Sequence, residues 1–198
     1  MRNLLSLLIL APLGGAVLIA LLPRGSASLA RLLGLLVSSG VFLASLLLLR
    51  DFQPVPEMQF VESLRWLPEY GIAYRLGIDG LALWMVLLTT FLTPLALLGS
   101  WSSIESRVKE FNVFMLLLET GMLGVFCALD LFLFYVFWEA MLIPMYFLIG
   151  IWGHERRVYA AVKFFLYTMA GSVLMLVAIL GLAYLHNVAT GTYSFDLL

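Results

Sequence analysis

Glu139 stands about eight residues into 131–151, an apolar run that holds no other charge. At a rise of about 1.5 Å per residue, this puts a carboxyl group near the middle of a membrane-spanning helix. A charged residue at a helix centre costs roughly 2.5–3.5 kcal/mol on insertion scales, so such a group faces a bundle interior, a partner or water. Proton or cation handling is the chemistry open to it. The plainer alternative is a permanently protonated glutamate that ties two helices together. Pro144 bears on the choice, because its ring cannot donate to the Ala140 carbonyl and clashes with it. That predicts a break in the helix one residue from Glu139, with a free backbone acceptor satisfied by protein or water. Packing alone is the other reading of the same proline.

Several further residues are candidates. Glu119, followed by Gly121 and Gly124, lies mid-way along another apolar run. The glycines allow a neighbouring helix to come close. Two carboxyls on adjacent helices would disfavour each other's ionisation, which suits proton exchange near neutral pH. A neutral acid hydrogen-bonded across helices is the alternative. Lys163 sits about one turn inside the sixth run, either snorkelling to the interface or facing inward and biasing Glu139 through water. Their axial offset, on the order of 10 Å, is too long for a direct ion pair. Asp130, between the fourth and fifth runs, fits a helix N-cap or a proton exit. His154 stands among Glu155, Arg156 and Arg157, as a loop histidine with no assigned work. Thr89, Thr90 and Thr93, beside Pro94, either line a wet seam or bond back to their own helix.

No metal-ligand spacing, cysteine pair, glycine-rich nucleotide loop or nucleophile elbow is present. No redox or hydrolytic site is expected in this chain. The lone Cys127 forms no internal disulfide and leaves the redox compartment unread.

The elements that must carry these residues are transmembrane helices. The chain is 63% hydrophobic and 12% charged, against about 45–50% and 25% in an average soluble domain. Mean hydropathy is +1.06. A soluble globule of this composition would lack a polar shell, so the expected solvent is lipid, and a net charge of −1 does not point to nucleic acid. The predicted fold class is all-α, a polytopic bundle of about six helices over 4–22, 32–49, 80–100, 111–129, 131–151 and 159–185. The first run is too long for a signal peptide's core of roughly 7–15 residues, so it reads as a retained helix despite Arg2 before it. In the 50–79 loop, Ile72, Tyr74, Leu76 and Ile78 alternate with Ala73, Arg75, Gly77 and Asp79, the period of a strand. Residues 60–62 are its expected hairpin partner, and Pro54, Pro56 and Pro68 keep the remainder irregular.

Orientation follows from Lys and Arg. Arg24, Arg31, Arg107, Lys109, Arg156, Arg157 and Lys163 follow runs one, three and five. Arg2, Arg50, Arg65 and Arg75 are diluted on the other side. The first set is expected to be cytoplasmic, with the N-terminus and the 50–79 loop outside. Trp101, Trp152 and Tyr159 then fall at cytoplasmic ends of helices, where amphipathic rings sit.

With these residues in place, the chain resembles a known family. Segment 131–153, around Trp138-Glu139 and Pro144-Met145-Tyr146, looks like the fifth transmembrane helix of the subunit-M family of NADH-quinone oxidoreductase, antiporter-like proton-pumping membrane subunits of respiratory complex I. Gly77-Ile78-Asp79-Gly80-Leu81 is similar to the family's approach to its third helix, and Lys163-Phe164-Phe165-Leu166-Tyr167-Thr168 to its sixth. The resemblance implies that Glu139 is the fifth-helix glutamate whose lysine partner lies on a seventh helix, that Lys163 is the sixth-helix lysine, and that Asp79 and Asp130 are recurring acids. Glu119 falls on a position the family varies.

It further implies a bundle of roughly fourteen helices with inverted repeats and broken helices, so that 1–198 would be the N-terminal part of one antiporter-like domain, a fragment or truncated frame that should not pump alone. Partners would be the other membrane subunits and the bilayer. No cofactor would be bound by this chain; NADH, FMN, Fe-S clusters and quinone would belong elsewhere in the complex, in a bacterial cytoplasmic (inner) membrane. Two alternatives stand beside this one: a subunit of a multi-subunit Na+/H+ antiporter, and a non-pumping assembly module.

Overall fold

The computed structural model describes residues 3–23 and 25–197. Arg2 and Arg24, used above for the signal-peptide and orientation readings, lie outside the described residues. Among the described residues, six helices are long and apolar enough to cross a membrane: α1 Leu4–Leu21, α2 Ala27–Asp51, α3 Gly80–Gly99, α4 Val108–Cys127, α5 Leu131–Trp152 and α6 Arg157–Thr190. This is a membrane protein built as a polytopic helical bundle. Between α2 and α3 lies an antiparallel hairpin, β1 Gln59–Leu67 and β2 Ile72–Ile78, joined by a short 3-10 turn.

Helix ends shift from expectation at three places. α2 begins five residues early and takes in Arg31, whose guanidinium donates to the Ile104 carbonyl (2.7 Å) and lies 5.8 Å from the Trp101 ring centre. A charge with such partners need not stay outside a helix. α4 ends at Cys127 rather than at 129, because 128–130 turns extended. That short segment is held from both sides: Leu129 N donates to Arg75 O (2.9 Å), and Leu197 N donates to Leu129 O (3.0 Å). α6 runs on to Thr190, where Gly191, at φ 78°, closes it.

α4 is the hub, packing on α1, α2, α3 and α5, whereas α6 packs on α5. Gly15 of α1 fits against Val37 and Leu116, where a Cβ would meet Val37 at 2.7 Å. Gly124 of α4 sits beneath the Phe137 ring, which a Cβ would approach to 2.3 Å. Both are positions where helix backbones come closer than any larger residue permits. Buried residues make up 44% of the apolar windows of α1, α3 and α4, but only 17% and 11% of those of α5 and α6. The flank that carries Glu139 is therefore the less covered one.

The hairpin acts as a clip across the helix ends. Its pairing extends beyond the expected 60–62 and includes Glu62 opposite Leu76. The Glu62 carboxylate accepts from Leu5 N (2.8 Å) and Ser6 N (3.1 Å), and from the Ser6 hydroxyl. It caps α1 from another element, a favourable place for a negative charge, since Asn3 gives no side-chain cap. Ser6 also meets the Tyr74 hydroxyl at 3.1 Å. Burial pushes the Tyr74 phenol above its ordinary value, against the opposing effect of that bond to Ser6. Gly71, at φ 69°, turns the hairpin against the backbone of Tyr193, where a Cβ would come within 2.1 Å of the Tyr193 carbonyl oxygen. Arg75 pairs with Asp196 on the same side.

Candidate functional site

Asp130 builds the start of α5. Its Oδ1 accepts from Phe132 N and Leu133 N, both at 2.9 Å, as an N-cap. Its Oδ2 accepts from Ala73 N of β2 at 3.0 Å. The side chain is 2% exposed, so one carboxylate seats α5 and anchors the hairpin to it. Asp79 does the same for α3, accepting from Ala82 N at 2.7 Å.

From this fixed end α5 runs unbroken past Pro144 to Trp152. The expected break near the site is absent. A proline inside a helix removes one N–H donor, and neighbouring bonds and buried packing carry the helix through. The Ala140 carbonyl is the acceptor it releases.

Helix register places Glu139. Phe137 and Met141 face Gly124 and Gly121 of α4. At about 100° per residue, Glu139 lies on the other side of α5. Tyr146 meets Phe165 of α6 with ring centres 5.6 Å apart, and Glu139 shares that stripe two turns earlier. Antiparallel pairing through Gly150–Ala161 and Tyr146–Phe165 puts Glu139 level with Ser172 of α6. Tyr135, one turn before Glu139, interacts with both the Glu139 carboxylate and Ser172. Ser172 is buried and donates to Met169 O at 3.1 Å. Oε1 of Glu139 is shielded and has no hydrogen-bond partner. The site is thus an acid at the α5–α6 seam with one open oxygen, beside a phenol and a hydroxyl that can pass protons.

The other candidates are not gathered around it. Lys163 is level with position 148, so about 13 Å along the axis separates it from Glu139. Phe165 and Ala161 take the α5-facing side of α6. Lys163 points the other way, exposed, its ammonium 5.8 Å from the Tyr159 ring centre. Glu119 is fully buried, but Gly121 and Gly124 occupy the α5-facing side of α4 and Glu119 points about 160° away from Gly121. The two carboxyls therefore stand on separate faces, with the body of α4 between them. Thr90 donates to Val86 O and Thr93 to Thr89 O, both at 3.0 Å, so these hydroxyls bond back to their own helix. His154 is exposed in the α5–α6 connection. Sequence reading overlooked Glu62, Tyr135 and Ser172. Tyr135 had a signal in its i, i+4 spacing to Glu139; Glu62 had none, its partners being more than fifty residues away.

Residues 128–198 match the family model described as NADH:quinone oxidoreductase/Mrp antiporter, TM. The chain is 50% identical over 187 residues to NADH-quinone oxidoreductase subunit M of Rhodobacter capsulatus, covering 92% of this chain and 36% of that protein. It is 47% identical over 196 residues to NADH-ubiquinone oxidoreductase chain 4 of Arabidopsis thaliana, covering 98% and 39%. Among solved structures it matches a chain of respiratory complex I from Thermus thermophilus with bound NADH, at 32% identity and a TM-score of 0.80, over 97% of this chain and 38% of that one. The chain spans about two fifths of the length of these relatives. It belongs to the family of antiporter-like membrane subunits found in NADH:quinone oxidoreductases and Mrp antiporters.

Proposed function

We propose that residues 1–198 form the N-terminal part of one antiporter-like transmembrane domain, and that the protein works as a membrane subunit of a proton-translocating NADH-quinone oxidoreductase. The single observation that carries this is Glu139: a mid-depth carboxyl with an open, shielded oxygen at a thinly covered helix seam. In this reading Glu139 takes up a proton, holds it at mid-membrane and gives it up when a neighbouring positive charge moves close. A cation within about 4–6 Å favours the ionised carboxylate. That cation is not Lys163, which is too far and faces away. Lys163 acts as a longer-range bias, Tyr135 and Ser172 hand the proton along the seam, and Asp130 holds α5 in register.

NADH, FMN, Fe-S clusters and quinone are assigned to partner subunits of the same complex. The membrane is a bacterial cytoplasmic one, with the N-terminus and hairpin on the outer side, as the distribution of Lys and Arg supports. The family description leaves one second reading open, a subunit of a multi-subunit Na+/H+ antiporter.

The two part on the coupling ion. The intact membrane complex containing this protein, sealed in vesicles free of sodium, is expected to acidify the lumen on adding NADH at an undiminished rate. Acidification that requires sodium and proceeds without NADH oxidation would replace this reading with the antiporter one.

A further inference from the structure

Glu119 is absorbed by none of the above. It is 0% exposed and both of its carboxyl oxygens lack a hydrogen-bond partner. Two contacts fix what lies around it. Gly34 of α2 abuts Asn112, and two turns further along these parallel helices Glu119 comes level with Val41. Ser45 meets Thr90 at 2.9 Å across the antiparallel α2–α3 pair, so that level corresponds to Pro94 of α3. The buried Pro94 releases the Thr90 carbonyl, and Pro12 of α1, buried near the same level, releases that of Leu8.

The hydroxyl protons nearby are already used. Ser38 donates to Leu35 O (3.2 Å), Thr93 to Thr89 O (3.0 Å) and the Asn112 amide to Val108 O (2.8 Å). The two hydroxyls have no proton left to give to Glu119, and Asn112, with one amide hydrogen unspent, stands two turns away along α4. A buried carboxyl whose oxygens receive no bond costs several kcal/mol or so, and most as the anion. Water is the group that donates to a carboxyl oxygen while also donating to free carbonyls, and buried water collects where 2–4 such partners converge.

We infer that Glu119 anchors a hydrated, exchangeable proton site inside the α1–α4 cluster, separate from Glu139 and independent of its role. The carboxyl holds one proton and trades it with internal water, which hydrogen-bonds to the released carbonyls.

Infrared spectra of membranes carrying the intact complex test this, comparing the native protein with Glu119→Gln in H2O and in D2O. The expected result is a carboxylic-acid C=O band that the substitution removes and that shifts within minutes of transfer to D2O. It persists in a Glu139→Gln complex, so its fate is separable from that of the pumping model. A band that does not shift after a day in D2O would make Glu119 a dry structural acid and overturn the inference. So would a missing acid band replaced by a carboxylate band that moves on adding sodium, the mark of a cation site. Should Glu119→Gln fail to assemble, Glu119→Asp is expected to displace the band, and an unchanged spectrum there overturns it equally.

Discussion

In the intact complex, Glu139→Gln is expected to cut NADH-driven proton translocation by roughly a hundredfold. Glutamine keeps the size and one acceptor of the side chain but cannot take or release a proton. A proton crossing the seam would then have to place its charge on water or amide at mid-depth. The cost of a charge there, roughly 2.5–3.5 kcal/mol, corresponds to about two orders of magnitude in rate. Reconstituted vesicles report this directly as lumen acidification against NADH consumption. Glu139→Asp, which keeps the acid on a shorter stem, should retain part of the flux. Because one oxygen of Glu139 has no partner, the substitution breaks no bond to that oxygen, so the complex should assemble normally. A complex that assembles poorly would instead mark Glu139 as a structural tie between α5 and α6.

The second large effect concerns Asp130, where stability rather than transport should fail. Asp130→Ala removes the cap on Phe132 N and Leu133 N and leaves the Ala73 N–H of the hairpin unpaired. A lost N-cap costs about 0.5–2 kcal/mol, and an unsatisfied, partly buried donor up to about 1–3 kcal/mol more. The sum, roughly 1.5–5 kcal/mol, should lower the thermal transition of the purified complex by on the order of 10 °C. Asp130→Asn keeps an acceptor for the cap and should lose less. Pumping per assembled complex should stay near normal in both. A drop in pumping at unchanged thermal stability would assign Asp130 to the proton exit instead.

The two acids differ in how much of their surroundings could be read from the chain. Six spans were legible because apolar runs of about twenty residues admit few alternatives. Asp130 was legible as a cap because it stands immediately before such a run, whereas Asp79, placed likewise before 80–100, was read only as the end of the alternating 72–79 segment. The alternation at 72–78 disclosed β2, but β1 carries bulges at 59–62 and 65–67 that blur its period. Depth along a helix was readable for Glu139, Glu119 and Lys163, since it depends only on counting residues. Their facing depends on which side each helix packs. Gly121 and Gly124 already lay opposite Glu119 on the helical wheel, yet only the contacts with Met141 and Phe137 identify that side as the α5 interface. The clip formed by Glu62, Asp130, Arg75 and Asp196 joins residues far apart in sequence, and no local pattern announces such bonds.

The hairpin ties the helix ends together at one end of the bundle, whereas α5 and α6 leave most of their apolar surface uncovered. In the proposed role, a proton-holding acid needs a fixed helix behind it, and Asp130 and the hairpin supply one for Glu139.

The central claim is that Glu139 itself carries the proton. Infrared difference spectroscopy of the intact complex during NADH turnover, with Glu139→Gln as the reference, addresses it most directly. The expected result is a carboxyl C=O band that rises and falls with turnover in the native complex and is missing from the variant. A Glu139 band that stays constant while protons are pumped would contradict the claim.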